Sequence, residues 1–265
     1  QSGQISQYDS QLPTSSILVN NILDMSGSGS SPLTASNSLN IKVGMERGWR
    51  TPWESLTINH NIIRTLIWSN SRLAELGEYA FKDLNYLQKL DLSFNKLQHI
   101  QMNVFKNFEL DLVDLDLSNN LFQFVPEKIF LNKRLENLEI LRMNENPIQI
   151  ITSNSFETLR NLKLLELNHC QIKSIETSAF ENLKNLESLS LVGNHLRHLN
   201  EITFRSFNLR SFYVHDNPLV CDCNLRWLLD YIKNVDYQQQ IYESQLTLSI
   251  PSLSSPYIKS YISKD

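Results

Sequence analysis

Glycine is scarce in this chain. Of 265 residues only seven are glycine, and three of those fall within the first 30. A glycine-rich phosphate loop has no room to form, and neither G-x-G-x-x-G nor a P-loop text occurs. Cysteine is scarcer still, with Cys170, Cys221 and Cys223 the only three. A structural zinc site needs four ligands, usually from C-x-x-C pairs, and no Cys or His follows Cys223. A redox pair would read C-x-x-C, whereas Cys221 and Cys223 read C-x-C. The chain also lacks H-E-x-x-H and any N-x-S/T sequon. Its net charge is −4 and it holds no basic block, which argues against a nucleic-acid partner. No apolar run approaches the ~20 residues of a membrane span. The chain opens on Gln1 with no leader, so it reads as a mature or partial chain, and membrane attachment would need a segment outside it.

Catalysis finds little support in what remains. His169 precedes Cys170 and His215 precedes Asp216, yet adjacent residues at a strand end point apart. No third group is placed to orient either pair. The expectation is no enzyme, no cofactor and no metal.

Residues 1–48 read as a Ser/Gly-rich, flexible flank, with "MSGSGSSPLTASNS" as its linker-like centre. Within it "SSILVNNILDM" has the composition for one strand. Beyond it a period appears. The template L-x-x-L-x-L-x-x-N-x-L fits "LQKLDLSFNKL", "LVDLDLSNNLF", "LEILRMNENPI", "LKLLELNHCQI", "LESLSLVGNHL" and "LRSFYVHDNPL", and more weakly "IRTLIWSNSRL". The copies start at Ile63, Leu87, Leu112, Leu138, Leu162, Leu186 and Leu209, so the gaps are 24, 25, 26, 24, 24 and 23 residues. Chance matches would not keep step. A second column follows at 18 residues past the starts: Phe81, Phe105, Phe130, Phe156, Phe180 and Phe204. These six are expected to stack as a spine. "WESLTINHNII" also matches but leaves too few residues before the next start, so residues 49–62 are expected to form an N-terminal cap, with a strand near Leu56–Ile58.

This pattern resembles the leucine-rich repeat family over residues 63–219. The resemblance implies an α/β solenoid: a curved right-handed stack of about seven repeats, with a parallel β-sheet on its concave side. The physics is consistent with it, because one repeat cannot bury its apolar face alone and must stack on neighbours. Asn95, Asn120, Asn146, Asn194 and Asn217 fall where the chain leaves each strand. A buried amide there can bond the backbone of adjacent turns. Ser71 and Cys170 replace it in two copies, and Cys170 is expected to be a buried, inert thiol.

An open stack needs covering at its end. "NPLVCDCNLRWLLDYI" follows the last repeat, with Leu225, Leu228, Leu229 and Ile232 on one helical face and Trp227 beside them. Asp222 or Asn224 can cap that helix. The stretch resembles the C-terminal cysteine flank of extracellular leucine-rich repeat proteins, which implies that residues 220–265 are a helical cap with Cys221 and Cys223 as structural staples. Such a flank carries two further cysteines, and residues 224–265 hold none, so the flank is expected to be incomplete.

Outward positions of the strands are where function is sought. The fifth template position reads Ile67, Asp91, Asp116, Arg142, Glu166, Ser190 and Tyr213, and the third reads Thr65, Lys89, Asp114, Ile140, Leu164, Ser188 and Ser211. The eighth adds Phe94, Glu145 and His169. The resemblance implies a protein-binding recognition module, secreted or at the cell surface, such as an adhesion protein or receptor ectodomain. The alternative is a structural or regulatory non-catalytic subunit of an enzyme or matrix complex. Asp91, Asp116, Arg142, Glu166 and Tyr213 are the expected contacts, and the acidic members would steer a protein partner with a basic patch. Outward charges of this kind read as dispensable for folding.

Overall fold

The computed structural model describes residues 17–19, 22–26, 41–43, 63–109, 112–131, 133–153, 155–204, 209–220, 225–228 and 231. They belong to two compact units: Gln1–Leu121 with Lys128–Leu138, and Phe122–Glu127 with Glu139–Asp265. The expected strand near Leu56–Ile58 lies outside the described residues, as do Cys221, Cys223 and the two candidate helix caps Asp222 and Asn224.

The first unit holds β1 (Ile17–Val19), β2 (Ile22–Asp24), β3 (Ile41–Val43), β4 (Thr65–Ile67), β5 (Leu73–Leu76), β6 (Lys89–Asp91), β7 (His99–Ile100) and β8 (Asp114–Asp116). Strands β2, β4, β6 and β8 pair in parallel, in that order and without a register shift. Each strand is only three residues long because one buried residue suffices: Leu66, Leu90 and Leu115 point inward and are fully buried, while their neighbours face out. After each bend a second parallel ladder, β3-β5-β7, carries the return limb.

The second unit repeats the plan with β9 (Ile140–Arg142), β10 (Ile150–Ile151), β11 (Leu164–Glu166), β12 (Ser174–Ile175), β13 (Ser188–Ser190) and β14 (Ser211–Tyr213). Strands β9, β11, β13 and β14 are parallel and in register, and β10 pairs with β12 on the return limb. All seven expected repeat strands are present, so the fold is the parallel-sheet solenoid that the spacing predicts.

One expectation for the N-terminal segment is corrected. "SSILVNNILDM" forms two strands rather than one: β1 and β2 make an antiparallel hairpin, and β2 extends the repeat ladder. Met25 is buried and its N–H donates to Ile67 O at 2.6 Å, as Trp68 N–H donates to Asp91 O one repeat later. A repeat turn therefore precedes the first copy recognised in the sequence.

The phenylalanine column is core throughout, with Phe81, Phe105, Phe130, Phe156, Phe180 and Phe204 all buried. In the first unit Phe81 and Phe105 stack at 5.9 Å between centroids, and Phe108 joins both. In the second, Phe156 stacks on Phe180 at 6.0 Å and Phe180 meets Phe204 at 6.1 Å. Each such ring buries a large area and fixes the spacing of two turns.

The asparagines satisfy the bend, as their position predicts. Asn95 Nδ2 donates to Trp68 O at 2.8 Å and to Leu92 O at 3.0 Å, and its Oδ1 accepts the N–H groups of Ser71 and Leu73. Asn120, Asn194 and Asn217 repeat this reach into the preceding turn. Cys170 keeps half of the device. Its Sγ donates to Met143 O at 3.4 Å, but it offers no acceptor to the preceding turn, and Ile148 N–H bonds Asn146 O instead. Burial pushes the Cys170 thiol from 9.0 up to about 11, against the lowering pull of backbone contacts from Asn146 and Glu145. An inert thiol follows.

The eighth template position has its own conformation. Asn70, Phe94, Asn119, Glu145, His169, Gly193 and Asp216 all have positive φ, between 51° and 66°. The chain reverses direction there, so the left-handed region is required in every repeat. At Gly193 a Cβ atom would also strike the His169 ring, so glycine leaves that ring its seat.

Past β14 the second unit carries an aromatic cluster. Leu225 and Leu228 are buried, Trp227 stacks on Phe204 at 5.6 Å, and Tyr231 meets Phe212 edge-on at 5.9 Å. Leu209 N–H donates to Tyr231 Oη at 3.4 Å. Burial raises the Tyr231 phenol above its ordinary value.

Candidate interaction surface

On the strand face of the first unit, the fifth position reads Asp24, Ile67, Asp91 and Asp116 across β2, β4, β6 and β8. Register places Asp91 directly beside Asp116, at the ~4.8 Å spacing of adjacent strands. Each aspartate is held by its own turn. Oδ1 of Asp24, Asp91 and Asp116 accepts the N–H of Ser26, Ser93 and Ser118, at 2.8, 2.9 and 2.8 Å. The serine two residues on thus orients the carboxylate, and a backbone donor adds no formal positive charge. Beside this row Lys89 Nζ lies 2.9 Å from Asp114 Oδ2, which uses the nearest cation on the third position. The face is anionic, and its charges are fixed in direction.

The corresponding face of the second unit is cross-linked from repeat to repeat. Arg142 Nε is 3.7 Å from Glu166 Oε2, and Asn144 Nδ2 donates to the same oxygen at 2.9 Å. Asn144 Oδ1 accepts Asn168 N–H at 2.8 Å. Asn168 Oδ1 accepts the Ser190 hydroxyl at 2.5 Å and Val192 N–H at 2.9 Å. The second-position charges pair as well, Lys163 with Glu139 at 2.8 Å and Arg210 with Glu187 at 3.3 Å. Tyr213 is half-buried on β14, two strands beyond Glu166 in this ladder.

The expected contact residues therefore separate into two groups. Asp91 and Asp116 stand together in one unit, and Arg142 and Glu166 form a pair in the other, with Tyr213 apart from that pair. These charges also have contacts within the fold: the two aspartates accept N–H groups of their turns, and Arg142 and Glu166 belong to a lateral network. Sequence reasoning also misses Asp24, Asn144 and Asn168. Their signal is present: "LDMS" repeats the "LDLS" text at 90–93 and 115–118, and the seventh position changes from serine to asparagine at Asn144.

Among the described residues no group of three or more His, Cys, Asp or Glu side chains could hold a metal ion. No helix among them is long and apolar enough to cross a membrane.

Comparison with known proteins bears on this surface. A family model described as Leucine rich repeat matches residues 62–115, 110–172 and 160–219, together more than half of the 265 residues. The chain belongs to the leucine-rich repeat family. Toll-like receptor 8 of Homo sapiens is 37% identical over 159 residues, covering 57% of this leucine-rich repeat chain and 15% of the receptor. Leucine-rich repeat-containing protein 3 of Danio rerio is 39% identical over 62 residues, 23% of either chain. The solved crystal structure of a TLR13-ssRNA13 complex superposes with a TM-score of 0.50 at 28% identity, covering 64% of this chain and 28% of that one. The chain thus spans less than a third of the length of each of these three proteins. These matches indicate no catalytic family, and the likeness to Toll-like receptor repeats supports a recognition module.

Proposed function

We propose that this chain is a protein-binding module of the secreted or cell-surface type, part of a receptor ectodomain or adhesion protein. Its partner docks on the strand-lined face, the concave side expected of such repeats. The contacts are Asp91 and Asp116 in the first unit and, separately, Arg142, Glu166 and Tyr213 in the second. The observation that carries this reading is the row of serine-held aspartates. Their carboxylates are oriented at no cost in charge, so they attract a basic protein patch and speed its encounter. The same row repels phosphate, which favours a protein over a nucleic acid such as the RNA of the TLR13 complex. Residues 220–265 belong to the proposal as a C-terminal cysteine flank, with Cys221 and Cys223 as staples. The aromatic cluster around Trp227 supports that assignment. Of the proposed N-terminal flank at residues 1–48, residues 22–26 already form a repeat turn, so residues 49–62 fall between two repeat strands in the chain rather than before the stack.

Site-specific photo-crosslinking tests the reading. A crosslinker at position 91 or 213 is expected to capture a discrete extracellular protein, and one at the return-limb residue Lys128 or Lys184 is not. Capture from the return limb alone would assign binding to the other side. Stable co-purification with a catalytic chain would favour the subunit alternative.

A further inference from the structure

Phe94 is the least expected residue on the surface of the first unit. It sits in the left-handed position at φ 54°, a conformation that asparagine or glycine adopts easily and a bulky side chain does not. Its neighbours in the column, Asn70 and Asn119, are of the suited type. Burial does not offset the strain, because Phe94 is 60% exposed. Its backbone serves the turn by donating to Ser118 O at 3.0 Å, which any residue would do. Leu121, one repeat along and past the same bend, is also exposed, and its N–H donates to Leu97 O. Two exposed apolar side chains thus follow strands β6 and β8, which carry Asp91 and Asp116.

Resting on the proposed strand-face reading, we infer that Phe94 and Leu121 form an apolar anchor site at the edge of the acidic row, and that its occupant is a basic protein segment carrying an apolar side chain. The charge is complementary: Asp91 and Asp116 present carboxylates that their serine contacts hold in place. The aromatic ring supplies the desolvated centre that electrostatic steering by itself lacks. Folding gains nothing from an exposed strained phenylalanine, whereas a docked partner would bury it.

The test uses two fluorescein-labelled lysine-rich peptides of equal charge, one with a central Leu-Leu pair and one with Ser-Ser. Anisotropy titrations on the full chain are expected to show about tenfold tighter binding of the leucine peptide. Phe94→Asn should erase that preference and leave the serine peptide unchanged. Because asparagine suits the left-handed turn, this variant should also melt at a higher temperature than wild type, which separates lost binding from lost folding. Asp91→Asn with Asp116→Asn keeps an oxygen for each serine N–H and should weaken both peptides equally. A leucine preference that is absent, or that survives Phe94→Asn, overturns the anchor. If both peptides still weaken in the aspartate variant, the strand-face reading stands without it. Failure of the aspartate variant to weaken either peptide would sink both. Self-association in sedimentation that is lost in Phe94→Asn would make a second copy of the chain the occupant and also overturn the inference.

Discussion

The two units solve the same problem differently on their strand faces. In the first, each aspartate at the fifth position accepts an N–H from a serine two residues away in its own turn. In the second, satisfaction comes from the next repeat, 22 to 24 residues away, through Glu166, Asn144 and Asn168. Local satisfaction orients these carboxylates without a cation, although Lys89 and Asp114 still pair across neighbouring strands of this unit. Lateral satisfaction neutralises charge and couples the repeats. A shared template thus yields one strand face with serine-oriented carboxylates and another whose polar groups bond from repeat to repeat.

The comparison can be broken first in the core, where no difference between the units is expected. Phe105→Ala in the first unit and Phe156→Ala in the second should each cost about 3–5 kcal/mol in denaturant unfolding. A loss below about 1 kcal/mol in one of them would show that the spine supports only the other unit.

Next in size is the titratable substitute in the asparagine column of the second unit, where the first unit has Ser71. The Cys170 pKa is raised in the folded chain, so its contribution is fully present below the unfolded value near 9.0 and is lost as pH rises through about 11. Relative to Cys170→Asn, wild type should lose about 2 kcal/mol across that window. Chemical denaturation of both proteins at pH 8 and pH 11 checks this, and parallel curves would refute it. At neutral pH the asparagine should restore the missing acceptor for Ile148 N–H and add roughly 1 kcal/mol.

Phe94→Asn should stabilise the first unit by roughly 1 kcal/mol, since it relieves a left-handed phenylalanine. His169→Asn in the second unit should gain less, because the His169 ring already rests against Gly193. Thermal melts in which His169→Asn gained more would reverse the assignment of strain.

The finest distinction is additivity. At 1 M salt, which screens the repulsion between the adjacent carboxylates, Asp91→Ala and Asp116→Ala should add within about 0.5 kcal/mol, because each accepts a serine N–H of its own turn. Asn144→Ala and Asn168→Ala should depart from additivity by roughly 0.5–1 kcal/mol, because one bonds the other. Equal coupling in the two cycles would erase the contrast between local and lateral satisfaction.

Much of this fold is legible because stacking forces a constant repeat length on the sequence. The leucine, asparagine and phenylalanine columns mark positions that are buried in the described turns, except that Asn217 and Leu219 in the last copy are half-buried, and the matching strands, bends and rings are present. The turn at Ile22–Asp24 is hidden for a physical reason. Its strand starts 65 − 22 = 43 residues before β4, against 89 − 65 = 24 for the next pair, so a long connection masks the period. Position 8 is visible as a column, but asparagine, phenylalanine, glutamate and histidine share no chemistry that announces a positive φ.

What the sequence determined by itself is the repeat, and with it which side chains enter the core, because burial selects residue type at every turn. Tertiary structure decided how the outward charges are used. Asp91 and Arg142 occupy the same template position and read alike as exposed ions. Whether such a group retains its charge or is neutralised depends on what stands beside it, a serine N–H in its own turn or Glu166 on the next repeat. For Arg142 that neighbour is set by register across some 24 residues of chain, and only the folded stack brings it within bonding distance, whereas the serine beside Asp91 is already written in the sequence.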